Sequence, residues 1–78
     1  MQTITVHRLA DLRRGDRIIG YDGHVYVGPR TVASPLGPIE PGSPVHGVRL
    51  EAPGGQGVIE RVLYPSQMDG RPIEVVRP

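Results

Sequence analysis

Three histidines, His7, His24 and His46, have the widest catalytic and metal-binding range of any residues in this 78-residue chain. Their spacings match no ligand motif and each stands alone in its stretch, so no metal centre is expected. The chain has no cysteine, which removes thiolate ligands, a cysteine nucleophile and any disulfide framework. Asp16 and Asp22 could act as a carboxylate pair, but Gly15 and Gly23 adjoin them, and Asp beside Gly is turn chemistry. Ser34, Ser43 and Ser66 each adjoin a proline, without the strand-to-helix turn that exposes a nucleophilic serine. The residues therefore read as non-catalytic, and no cofactor is expected.

What the chain does concentrate is aromatic and guanidinium chemistry. Arg17, Tyr21, His24 and Tyr26 fall within ten residues, in a protein whose only other aromatic of the Phe, Trp and Tyr set is Tyr64. Such a group suits a protein interface, where Tyr and Arg supply much of the binding energy. It also suits stacking on the bases of RNA or a single strand, with Arg13, Arg14 and Arg30 nearby for phosphates.

The element that must position this group is a hairpin. Asp22-Gly23 lies between runs of β-branched and aromatic residues, and a two-residue Asp-Gly loop predicts a tight turn with φ > 0 at both central positions. A straight register from that loop pairs Tyr21 with His24, Gly20 with Val25, Ile19 with Tyr26 and Ile18 with Val27. One face then carries Ile18, Gly20, Val25 and Val27 as core. The other presents Arg17, Ile19, Tyr21, His24 and Tyr26 to solvent, and a one-residue slip would invert the assignment.

A second feature follows Val32, where the hairpin's second strand is expected to end. Pro35, Pro38, Pro41 and Pro44 recur every third residue, the polyproline II period, broken by Gly37 and Gly42. Residues 34–44 are therefore expected to form an extended Pro-rich loop along one side of the domain, with Leu36 and Ile39 tucked inward. Being already extended, such a loop loses little entropy on docking, which makes its four prolines candidate contacts for a partner.

The remaining chain supplies short strands. Ile4-Thr5-Val6 reads as an edge strand, and Leu9 and Leu12 fit one helical or 3₁₀ turn. Arg14-Gly15-Asp16 is a turn; it also spells an integrin-binding tripeptide, which its turn chemistry explains without that role. Val48 and Leu50 point inward from a strand whose Arg49 and Glu51 point outward. Val58 to Tyr64 has apolar residues on both faces and is expected to lie centrally or to bend. Residues 65–70 turn the chain into a last strand opening at Pro72.

Ten Val, six Ile and five Leu, with no Phe or Trp, dictate an aliphatic core and favour pleated structure over helix. Seventy-eight residues allow one domain, with limited burial. The expected fold is all-β, a small SH3-like barrel or open roll of five or six strands. The stretch "Asp-Leu-x-x-Gly-Asp, aliphatic pair, Asp-Gly, Val-x-Val", here Asp11 to Val27, resembles the opening of KOW-type SH3-like barrels. It is similar in particular to the N-terminal domain of the translation elongation factor P family. That family presents a modifiable lysine after the second main strand, and this chain has none. The resemblance thus implies the barrel and its general capacity to bind peptides, proteins or RNA, and does not imply elongation-factor activity.

All nine basic residues are Arg, and Lys, Asn and Phe are absent, which points to a GC-rich coding sequence such as that of an actinobacterium or its phage. Net charge is +1, with +2 in residues 1–39 and −1 in residues 40–78, so no basic tract announces nucleic acid. No apolar run approaches the roughly 18 residues that span a bilayer, and no leader pattern opens the chain. A cytoplasmic or virion-associated protein is expected, binding a protein partner or a second copy of itself, with nucleic acid as the alternative.

Overall fold

The computed structural model describes residues 2–54 and 57–78, and for Val27 the backbone only. Six strands form one antiparallel sheet, β1 (Gln2–Val6), β2 (Arg17–Tyr21), β3 (His24–Pro38), β4 (His46–Glu51), β5 (Ile59–Leu63) and β6 (Ile73–Arg77). Their order across the sheet is β1-β6-β2-β3-β4-β5, so the roll is open, with β1 and β5 at its edges. A 3₁₀ turn at Leu9–Asp11 and a four-residue helix, α1 (Pro65–Met68), are the helical pieces among the described residues. No helix among the described residues is long and apolar enough to cross a membrane.

The core is aliphatic, as the lack of Phe and Trp requires. Leu9, Ile18, Val32, Val48, Leu50, Ile73 and Val75 are buried almost completely, with Val6, Leu12, Leu63 and Met68 around them. At about 25 cal/mol per Å² of apolar surface removed from water, each such side chain contributes about 1.5–3 kcal/mol. The two helical turns are tied to each other: Asp69 accepts a hydrogen bond from the Leu9 amide at 2.9 Å, and the His7 carbonyl accepts one from Gly70 at 2.7 Å.

The hairpin turn forms as the sequence dictates. Asp22 (φ 49°) and Gly23 (φ 78°) both take the left-handed backbone of a two-residue loop, and Tyr21 pairs with His24 and Gly20 with Val25. Beyond that pair the register departs from a straight ladder. Ile18 pairs with Arg30 rather than Val27, so residues 26–29 of β3 oppose Ile19 alone. Against β6, Ile18 meets Val75 and Gly20 meets Glu74, which leaves Ile19 as a bulge in β2.

That bulge corrects the expected faces. Ile18 stays inward, but after the extra residue Tyr21 turns inward too, opposite the fully buried Ile73. Tyr26 follows it and both rings pack on the core. Val25, expected in the core, is 84% exposed. Gly20 is buried because the His24 carbonyl crosses directly over it, where any Cβ would overlap the oxygen.

The Pro-rich stretch is also corrected. Residues 34–38 are not loop but the continuation of β3, which pairs Gly37 with Gly47 and Pro38 with His46. Pro35 sits where the β3–β4 register is interrupted between Ser34 and Gly37, so no ladder hydrogen bond is forfeited there. Only a short connection remains: Ile39 donates to Val45 and Ser43 to Glu40. Leu36 packs on the core as expected. The segment expected to lie centrally or to bend forms β5 at the edge of the sheet, with a register shift that leaves Glu60 unpaired, and Ile59 at its start and Val58 before it are exposed.

Candidate functional site

Tyr21 ends β2 and Tyr26 is the third residue of β3, and the two-residue turn between the strands brings their rings to a centroid separation of 5.7 Å, tilted by 49°. His24, exposed at the hairpin tip, lies 6.0 Å from Tyr21, ring centre to ring centre. The two tyrosines line one wall of a groove of about 560 Å³. Its floor and far wall come from the β5–α1 corner: Val62, Leu63 and Met68 supply apolar surface, and Ser66 and Gln67 stand exposed above them. Arg61 and Arg71 complete the rim.

The hairpin tip is anchored to the start of β6. Asp22 donates its amide to the Pro72 carbonyl at 2.9 Å, and its carboxylate accepts from Arg71 at 2.9 Å. This pair is solvent-exposed, so it orients Arg71 more than it stabilises the fold. Arg61 has no carboxylate partner among the described residues, which leaves its charge available at the rim. Arg30 lies 4.6 Å above the Tyr26 ring, in cation–π range, and reaches Glu60 at 3.1 Å and the Gly28 carbonyl at 2.9 Å. Glu60 is itself the unpaired residue of β5, since Leu50 pairs with Arg61 and Glu51 with Ile59. Glu60 on β5 thus holds the Arg30 guanidinium that stacks on Tyr26 of β3.

Of the residues singled out from sequence, Tyr21, His24 and Tyr26 come together and Arg17 does not. Arg17 precedes the inward Ile18 and lies exposed near Gly15, Val76 and Pro78, away from the groove. Pro35 and Pro38 are exposed on the far part of β3, and Pro41 and Pro44 are exposed in the β3–β4 connection. None of the four lines the groove. The groove residues that sequence reasoning missed are Arg61, Ser66, Gln67 and Arg71. Each lies in or beside an already recognised turn or strand, but the curving of β5 towards the hairpin brings Arg61, Ser66 and Gln67 to Tyr21, and the pairing of β6 with β2 brings Arg71.

No cluster of three or more His, Asp and Glu side chains among the described residues could hold a metal ion. The strongest electrostatic perturbation lies elsewhere, at Asp16, whose carboxyl is held below the ordinary carboxylate range by its hydrogen bonds to Arg77, against the opposing effect of burial. No protein-family model matches this chain, nor does any curated protein or solved structure.

Proposed function

We propose that this protein is a non-catalytic interaction module that seats an extended acidic and apolar segment of a protein partner in the groove between the β2–β3 hairpin and the β5–α1 corner. The observation that carries this reading is the gathering of Tyr21 and Tyr26 with Arg61 and Arg71 around one groove that Val62, Leu63 and Met68 also line. Tyr and Arg are the residues most enriched among interface hot spots. Alternating apolar and carboxylate side chains would place the first against Val62, Leu63 and Met68 and the second on the two guanidiniums.

An SH3-like reading of the roll fits this role. The meander from β2 to β5, a helical turn, and a last strand returning beside β2 are the features that support it. Nucleic acid on the same hairpin has less support. Arg17 lies away from the tyrosines, the guanidinium of Arg30 covers one face of Tyr26, and the two rings are too steeply inclined to form a parallel slot for a base.

The test is selection of a random peptide display library on the intact protein, repeated with Tyr26→Ala and Arg61→Glu variants whose fold is checked by circular dichroism. Recovered peptides that carry carboxylates among apolar residues, and that are lost in both variants, support the reading. An absence of enrichment, or enrichment that neither variant alters, overturns it.

A further inference from the structure

The two edges of the sheet are built differently. β5 carries exposed Glu60 and Arg61 and a bulge at Glu60, devices that discourage another strand from adding to an edge. β1 has none of these. Its five residues, Gln2-Thr3-Ile4-Thr5-Val6, hold an unbroken register against β6 from Gln2↔Arg77 to Val6↔Ile73, with no charge, no proline and no bulge. Its other side pairs with no strand among the described residues. An edge this regular is a template for one more strand.

We propose that the occupant is β1 of a second copy, running antiparallel about a two-fold axis through Ile4. A two-fold interface must be self-complementary, and this strand is. The axis at Ile4 sets Thr3 opposite Thr5 of the second copy, Thr5 opposite its Thr3, and Gln2 opposite its Val6. No like charges meet, and Thr–Thr cross-strand pairs are favourable. The faces also agree. Thr3 and Thr5 lie exposed on the outer face, whereas Ile4 is half-buried, packs on the core from the sheet's edge, and is followed on the same face by the buried Val6. Pairing about Ile4 places that half-exposed side chain against its own copy and joins the two cores along one continuous sheet. The groove at Tyr21 and Tyr26 takes no part, so this association stands independently of the proposed function.

The absence of natural cysteine makes the register directly testable. Residues directly opposite across an antiparallel pair have Cβ atoms about 4.5–5.5 Å apart, close to disulfide reach. Under mild oxidation, Ile4→Cys is expected to cross-link rapidly to a dimer, while Thr3→Cys and Thr5→Cys, each facing a different residue, do not. Light scattering of the unmodified protein should show mass rising towards twice the monomer value as concentration approaches about 1 mM, since a single strand pair belongs to the small, weak class of interfaces. Thr3→Lys, on the exposed face, should suppress that rise without altering the circular dichroism spectrum. A constant monomer mass over that range overturns the proposal, as does cross-linking of Ile4→Cys no faster than of Thr3→Cys.

Discussion

Asp16 and Arg77 form a two-toothed ion pair that joins the entry of β2 to the end of β6. Arg77 Nε donates to Asp16 Oδ1 at 2.9 Å and Nη2 to Oδ2 at 2.8 Å, while the carboxylate, 1% exposed, also accepts the Arg13 amide at 2.8 Å. The remaining reach of Nη2 goes to the Asp11 carbonyl at 2.9 Å. One buried carboxylate thus fixes the turn before β2 and the last strand together. Such a pair is costly to break from one side, because its partner is left behind without compensation.

Acid should expose this contact. The folded-state pKa of Asp16 lies below its ordinary 3.8, so at low pH the unfolded chain takes up a proton that the folded chain resists. The contribution is complete above about pH 4–5 and fades as pH falls through 3.8 and below, until the folded carboxyl itself is protonated. Urea melts at pH 7 and pH 3 should show a loss of stability in the wild type. Asp16→Asn should cost about 2–3 kcal/mol at pH 7 and flatten that dependence. An unchanged slope in the variant would place the acid sensitivity elsewhere.

The outward turn of Val25, set against a buried core position, gives an opposite pair of predictions. Val25→Thr should change stability by less than about 0.5 kcal/mol, because the side chain is 84% exposed. Leu50→Ala, at a fully buried site, should cost about 2–5 kcal/mol. Denaturant titration of both variants decides the matter, and a large loss from Val25→Thr would restore the straight-register assignment.

Gly20→Ala should destabilise by about 1–3 kcal/mol, since the added methyl meets the His24 carbonyl, a backbone atom that cannot rotate away. Amide exchange should rise first at the hairpin tip. Gly20 has an ordinary backbone conformation, so a neutral result would mean that the tip shifts freely.

Tyr26→Phe should keep the fold and the Arg30 stacking, whereas Tyr26→Ala removes the ring beneath the guanidinium. Loss of that contact should cost about 0.5–2 kcal/mol beyond the lost burial. A double-mutant cycle with Arg30→Gln measures the coupling, and additive effects would show the stacking to be incidental.

Local chemistry was readable before the fold was known. The Asp22-Gly23 turn, the 3₁₀ turn at Leu9–Asp11, the edge position of β1 and the inward Val48 and Leu50 follow from residue types within a few positions. Two features depended on distant partners and were misread. Ile19 carries no mark of a bulge, which arises because β6 and β3 demand different registers of β2. The prolines mark a period that suits a free rod, yet β4 supplies a ladder from Gly37 onward, and the interruption at Pro35 lets the strand through. The Tyr21, Tyr26 and His24 cluster was legible, whereas Arg61 joins it through curvature of the sheet and Arg71 through the pairing of β6 with β2.

The placement of β6 between β1 and β2 sets the timing of folding during synthesis. Ile73, Val75 and Arg77 fill the middle of the sheet, yet they follow the other five strands of that sheet in chain order. Until β6 is in place, β1 lacks its described partner strand, β2 lacks one of its two neighbours, and Asp16 lacks its ion pair with Arg77. The β2–β3 and β3–β4 hairpins can close early, but the sheet as a whole forms only once β6 is in place, in a late step governed by its contacts with β1 and β2.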